Sequence, residues 1–312
     1  MGEISMREGY GKALAEYAGK NPKVVTVDVD TSASTLTNFF AAKYPERFYN
    51  VGIAEPCAVD VSVGLALGGY IPFVNAFAAL LALRSLEQIR TCVCYARTNV
   101  KIAASYAGIS DFKDGPTHFA VTDIANVRAL PNMTVIVPAD AAQAAEFVPL
   151  VAEYDGPVYL RISRGPTLPV HQPGTPLQIG KGILRRPGGD VTIIAAGSMV
   201  GRSLLAAEEL AKKGLDARVV ELHTIKPLDR EMVLLAARET GAIVTAEEHA
   251  KIGGLGGAVA ETLAAETPVP MEQVGIADAF CPTGRNVEKL LDACGLGVVD
   301  VVNAAEKVFK RK

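Results

Sequence analysis

Strand-length runs that are apolar at almost every position recur through this chain, each followed by a segment with helical spacing. "NVKIAASY", "MTVIVPAD" and "PVYLRIS" are examples, as is "KVVTVDVD", a mostly apolar run with Asp28 and Asp30 at its carboxyl end. A strand that is apolar on both faces must be covered on both, which is the situation of a parallel sheet between helices. Parallel neighbours also require long crossovers, and the intervening segments have the length and pattern to supply them. The fold class that follows is α/β with a parallel sheet.

The pattern occurs twice. The first series opens on a helix with a capping-box pair, Ser5 and Glu8, ahead of Ala13, Leu14 and Tyr17. It continues through helical patterns in "CAVDVSVGLALGG", residues 77–95, "TDIANVRAL" and "AAQAAEFVPLVAEY". "GPTLPVHQPGTPLQIGKGILRRPGG" is then rich in Pro and Gly and reads as a linker over the surface. A second alternation begins at "DVTIIAAG" and runs through "GRSLLAAEELAKKG", "DARVVEL", "REMVLLAARETG", "AIVTAEE" and "AVAETLAAE". It ends with "MEQVGIAD" and the helical patterns of "NVEKLLDACG" and "VVNAAEKVFKRK". The expected division is a first domain over 1–165, a linker over 166–189 and a smaller α/β domain over 190–312.

Composition narrows the function classes. A chain of 312 residues suits two domains of ordinary size. A mean hydropathy of +0.23 is high for a globular chain and predicts apolar surface buried between subunits. A formal charge of −3, no Trp and no long basic run argue against a nucleic-acid partner. The most apolar stretch, "PFVNAFAALLALRSLEQIR", meets Arg84 and Glu87 too early to span a membrane. The acidic, amphipathic start is unlike a signal peptide, and five cysteines without metal-ligand spacing fit a reduced, cytoplasmic protein.

Several self-sufficient motifs are absent. There is no G-x-x-x-x-G-K-[ST] loop and no H-E-x-x-H helix. "GGLGG" has Val259 where a dinucleotide fingerprint needs its third glycine, so it reads as a helix-start turn; "AAGSMVG" places Ser198 in a turn. Ligands of doubly wound sheets sit beyond the carboxyl ends of the strands. Asp30, the loop after Tyr106, and Arg164 all fall at such ends. Glu55, in "YNVGIAEPCAVDVSVGLALGGY", is a single acid among apolar residues, where an unpaired carboxylate is costly. It either caps the helix that Pro56 begins or has a partner elsewhere. Taken singly, His118 is equally well a loop histidine, Arg164 a surface charge and Asp30 a strand-end carboxylate accepting backbone bonds.

The order of the pieces carries more. "MREGYGKAL", "DVDTSAST", "FYNVGIAEP", "PFVNAF", "EQIR", "KDGPTH", "LPNMTVIVPAD" and "YLRISRG" resemble, in that order, the carboxyl-terminal half of transketolase. The resemblance spans nearly the whole chain, and "DGPTH…RALPN…VPAD" is its most specific block. It implies a pyrimidine-binding domain of thiamine diphosphate enzymes followed by the family's carboxyl-terminal domain. It also implies that Glu55 bonds a ring nitrogen of the cofactor's aminopyrimidine and activates it. Phe77 matches the aromatic that stacks on that ring, although it competes with a core role. The family's neighbouring aromatic is Leu80 here, and Asp30 matches an acid near the cofactor. Asp114 and His118 match a pair that contacts substrate hydroxyls, with His118 assisting proton transfer. Arg7, Ser34 and Arg164 match groups that bind the phosphate end of a sugar.

Two departures bear on the substrate. Tyr106 stands where the family has a His, and "FKDG" replaces "GEDG", placing Lys113 before the Asp. The family's G-D-G motif for the diphosphate and its divalent metal, Mg2+ or similar, occurs nowhere in the 312 residues. The resemblance therefore implies an amino-terminal subunit that carries that motif, a cofactor shared between chains, no metal ligands in this chain, and a heterotetramer. Sugars or sugar phosphates are the implied substrates. A beta-type subunit of a 2-oxoacid dehydrogenase, a deoxyxylulose-phosphate synthase half and a non-catalytic α/β assembly subunit are the rival readings.

Overall fold

The structure, a computed structural model, describes residues 4–172 and 174–312. Its strands are β1 Val24–Asp28, β2 Phe48–Asn50, β3 Ile71–Phe77, β4 Lys101–Ser105, β5 Thr134–Ile136, β6 Val158–Ile162, β7 Ile183–Arg186, β8 Val191–Ala195, β9 Ala217–Glu221, β10 Thr224–Lys226, β11 Ile243–Ala250 and β12 Met271–Ile276. The helices of the first half are α1 Met6–Lys20, α2 Ser32–Thr35, α3 Asn38–Lys43, α4 Glu55–Leu67, α5 Ala78–Arg84, α6 Leu86–Gln88, α7 Asp123–Arg128 and α8 Ala141–Glu153. Those of the second are α9 Met199–Lys212, α10 Arg230–Thr240, α11 Leu255–Glu266, α12 Val287–Ala293 and α13 Val298–Phe309.

Two sheets result. The first has strand order β10-β5-β6-β4-β3-β1-β2, and the second β12-β11-β8-β9-β7. Within the first, β1 to β6 pair in parallel; within the second, only β7 is antiparallel to its neighbour. Parallel α/β architecture is thus as the uniformly apolar runs require: β1, β4, β5, β6 and β8 are buried at every residue.

Four features escaped the sequence pattern, the first being β7, which lies within the 166–189 stretch expected to be a linker and pairs with β9. "IPFVNAF" is a buried central strand, although its leading Pro and internal Asn weaken the apolar run. Asn75 fits because its amide donates to Phe73 O at 2.8 Å and accepts from Tyr10 Oη at 2.7 Å. Residues 77–95 are not one helix: Phe77 ends β3, and α5, α6 and a π-helical turn over Ile89–Tyr95 follow. Finally, β10 comes from the second half of the chain but pairs antiparallel with β5 of the first sheet.

That last strand sutures the halves. His223 O accepts from Val137 N at 2.7 Å, and one apolar core runs from Val27, Val74 and Ile102 into Val233, Leu255 and Val259 of α10 and α11. α1 and α8 close the opposite face of the first sheet over Leu14, Phe147 and Val151. Among the described residues, no helix is long and apolar enough to cross a membrane.

Candidate functional site

The strands β6, β4, β3 and β1 are adjacent in the sheet, so their carboxyl ends form one continuous edge. Phe77 is level with Ser105, Ser105 with Ile162, and Asp28 with Asn75. Residues distant in sequence are placed side by side by that register alone.

The side chains along this edge form a chain of contacts. Arg7, on the first turn of α1, donates to Tyr106 Oη at 2.7 Å and to the carbonyl of Ser34 at 2.5 Å. Ser34 therefore meets Arg7 through its backbone, in the short helix α2. Tyr106 stacks on Phe77 with centroids 4.2 Å apart, and His118 approaches Phe77 edge-on at 6.1 Å. Arg164, just beyond β6, lies 5.3 Å from the Tyr106 ring and 5.6 Å from that of Phe112. Tyr106 holds this position with φ +62°, an uncommon backbone for a bulky residue and one that concentrates at functional sites.

The loop 107–118 is shaped by its own backbone bonds. Asp111 O accepts from Asp114 N and Gly115 N, and Gly115 takes φ +80°, which favours glycine. His118 Nδ1 lies 2.9 Å from Thr117 Oγ1. Under this loop the Asp111 carboxylate is fully buried, with Arg164 Nη1 3.4 Å from one oxygen and no hydrogen bond to either. Burial, and then the Asp114 carboxylate, push Asp111 up to about 6. A cleft of about 320 Å³ opens here between the halves, bounded by Arg7, Phe112, Lys113 and Arg164 on one side and Arg202 and Glu248 on the other.

Glu248 anchors the loop to the second domain. It accepts from Ile109 N at 2.8 Å and from Ser198 Oγ at 2.5 Å. A Cβ on Gly108 would fall 2.2 Å from its Oε1, so that position has no room for a side chain. Beneath it, Arg161 forks onto Asp123 at 2.7 and 3.2 Å and also donates to the carbonyls of Ala120 and Glu248. Burial alone would raise Asp123, but the Arg161 charge and hydrogen bonds outweigh it and hold the carboxyl below its usual range. The helix-start reading of "GGLGG" fits what is seen: Leu255 N and Gly256 N donate to Glu247 at 2.7 and 2.8 Å.

No hydrogen bond or ion pair joins Glu55 to these side chains among the described residues. Glu55 is the first residue of α4, 2% exposed, and makes no cap bond, which removes the capping alternative. Arg84 Nη1, at the end of α5, lies 3.2 and 3.4 Å from its two oxygens. Leu80 lies one turn before Arg84, half-buried. The surrounding elements expose large apolar side chains: Ile53 at 77%, Leu67 at 76% and Tyr95 at 85%, with Leu83 also exposed. Asp30 is exposed at φ +69°, with Asn50 Nδ2 3.2 Å away. The strand-end carboxylate that accepts backbone bonds is Asp28, which takes Thr31 N at 2.7 Å and Thr37 Oγ1 at 3.0 Å. No group of three or more His, Cys, Asp or Glu side chains suited to a metal occurs among the described residues.

Asp111, Phe112, Arg84, Arg202 and Glu248 were not singled out from sequence. Only Asp111 offered a signal there, as a second acid within "ISDFKDG".

Comparison with known proteins agrees with this layout. The family model of the transketolase pyrimidine binding domain matches residues 2–168, and that of the transketolase C-terminal domain matches residues 180–301. The chain is 42% identical over 307 residues to a 6-deoxy-6-sulfo-D-fructose transketolase subunit of Clostridium sp. (strain MSTE9), covering 98% of this chain and 95% of that protein. It is 39% identical over 286 residues to an apulose-4-phosphate transketolase subunit of Phocaeicola vulgatus, covering 91% of each. A solved structure described as a split gene transketolase, inactive beta4 tetramer, is 46% identical with TM-score 0.90 over 99% of both chains.

Proposed function

This chain belongs to the transketolase family, and from that premise we propose that it is the carboxyl-terminal subunit of a two-chain enzyme. The enzyme transfers a two-carbon ketol group from a ketose or ketose phosphate to an aldose or aldose phosphate. The observation that carries the reading is Glu55: a buried acid, paired with a half-exposed Arg84, whose neighbouring elements expose the apolar Ile53, Leu83 and Tyr95. Such an arrangement is half of a site, and the relatives that are named as subunits are consistent with a second chain completing it.

The residues present suit the pyrimidine end of thiamine diphosphate. A buried carboxylate can share a proton with a ring nitrogen, and Phe77 with Leu80 offers an apolar wall to a flat ring. When bound, the cofactor supplies the carbanion chemistry, while the protein orients and polarises it. Glu55 is assigned the hydrogen bond to that nitrogen, in exchange for its pairing with Arg84. Asp30 is assigned a place at the cofactor's edge. His118 and Asp114 are assigned proton transfer and binding at substrate hydroxyls. Arg7, Ser34, Tyr106 and Arg164 are assigned the distal end of the sugar, the first three already joined by hydrogen bonds. The diphosphate and its divalent metal, Mg2+ or similar, are assigned to an amino-terminal subunit carrying G-D-G, in a heterotetramer of two chains of each kind.

The test is reconstitution with such a subunit, read by calorimetric uptake of thiamine diphosphate with Mg2+ and by product analysis. The expected outcome is cofactor uptake and ketol transfer only when both chains are present. Pyruvate decarboxylation instead would reassign the pair to the 2-oxoacid dehydrogenase or deoxyxylulose-phosphate synthase classes. A stable complex that takes up no cofactor would mark a non-catalytic assembly subunit.

A further inference from the structure

We propose that Asp111 is a specificity-determining residue that offsets the charge of Arg164 and so weakens the cleft's preference for a donor ending in a dianion over one ending in a monoanion or a hydroxyl. The inference rests on the assignment of this cleft to the distal end of the sugar. Its basis is geometric. Asp111 is wholly buried beneath the cleft, neither carboxylate oxygen has a hydrogen bond, and Arg164 at 3.4 Å is its ion-pair partner. A buried carboxylate without hydrogen bonds is costly and persists only against a cation. Arg164 is therefore partly neutralised from below, while its other face meets the rings of Tyr106 and Phe112 at the cleft wall.

The other cations around the cleft differ in how far they are paired. Arg7, the other arginine of this wall, directs Nη1 onto Tyr106 Oη and the Ser34 carbonyl. Tyr106 brings a neutral phenol. Arg202, on the far wall, is paired with Glu288 and Asp292. Lys113 is exposed at the cleft and makes no ion pair among the described residues. With Arg202 paired while Arg7 and Lys113 bond no anion among the described residues, the charge that a ligand's second negative group meets depends on whether Asp111 offsets Arg164.

Asp111 titrates in a useful range: burial first, then Asp114, raise it to about 6, against the lowering pull of Arg164 and His118. Protonation below that value removes the offset and frees the Arg164 charge. Sulfate stays dianionic over this range, so it reports the protein's titration alone; methanesulfonate is its monoanionic counterpart. Comparison with Asp111→Asn subtracts the contribution of every other group.

The experiment measures binding of sulfate and methanesulfonate to the full chain, wild type and Asp111→Asn, at pH 7.5 and pH 5. At pH 7.5 the variant is expected to bind sulfate about tenfold more tightly than wild type, with a smaller gain for methanesulfonate, as one removed unit charge predicts at partly solvated distances. At pH 5 the two proteins are expected to converge. Asp111→Ser carries the same expectation and guards against misfolding of either variant. Equal sulfate affinity at pH 7.5, or a gap that survives at pH 5, overturns the proposal. In the reconstituted enzyme, Asp111→Asn is expected to raise the kcat/KM ratio of a phosphate-ended over a hydroxyl-ended donor about tenfold, through KM. An active enzyme with an unchanged ratio overturns the Asp111 inference alone. Absent ketol transfer with any donor, alongside the expected sulfate result, overturns the enzyme assignment and the donor specificity that rests on it, and leaves standing only the offset of the Arg164 charge by Asp111.

Discussion

Glu55 and Asp111 are both buried carboxylates whose nearest cation is an arginine, at 3.2 Å for Arg84 and 3.4 Å for Arg164. Their surroundings differ in kind. Asp111 lies under a cleft that this chain closes by itself: the loop 107–118 is clamped by Glu248 of β11 and backed by the Arg161–Asp123 pair. Around Glu55 the neighbouring elements leave Ile53, Leu83 and Tyr95 exposed, and Arg84 itself is half open to solvent. One region is finished by the chain's own second half. The other has the chemistry of a buried site without its far wall, and apolar surface of that sort is what an obligate interface covers.

The largest effect that can break this contrast is at the open region. Glu55→Gln is expected to lower kcat of the reconstituted enzyme by about 10²- to 10⁴-fold, as for a positioned acid–base group. Steady-state kinetics measure it, and near-full turnover would remove Glu55 from the reaction. Next comes the surface around it. Leu83→Lys should leave folding intact, since that side chain is exposed, while weakening assembly at least about tenfold. Analytical ultracentrifugation of the mixed chains would show it; unchanged assembly would place the partner elsewhere.

The smallest effect sharpens the closed region. His223 sits in the seam where β10 joins the first sheet, edge-on to Phe147, and burial pushes it down to about 4. Between about 6.5 and 4 the unfolded chain takes up a proton that the folded seam refuses. Stability is therefore expected to fall as pH drops through that window and to level off below it, by up to about 1.4 kcal/mol per pH unit from this group. Asp111 acts in the opposite sense over part of the same range, because its folded form holds a proton more tightly. Urea midpoints of wild type and His223→Gln at pH 7 and 4.5 isolate the histidine, and parallel losses in the two proteins would contradict its burial as neutral imidazole.

Legibility in the sequence followed physical reach. Ser5 and Glu8 announced α1 because a cap is a local bond, and Ser5 does accept from Glu8 N at 3.3 Å. β1, β4 and β6 were readable because strands buried at every residue keep their runs mostly apolar. β3 was not, because its Asn75 is satisfied by Tyr10, sixty-five residues earlier. Among site residues, Arg7, Ser34, Phe77, Tyr106, His118 and Arg164 were named from motif order and are joined here by direct contacts. Asp111 and Glu248 were passed over because their meaning depends on what lies above them.

By itself the sequence determined the class of fold and the kind of chemistry on offer. Apolar periodicity and short-range capping are properties of neighbouring residues, and motif order survives without coordinates. Which groups meet was decided only in three dimensions. Strand register brings Phe77 against Tyr106, a strand lent from the second half seals the seam, and one glycine lets Glu248 reach the loop. Electrostatic compensation depends on distance and burial, neither of which a linear pattern contains, so the two buried acids could be told apart only once folded.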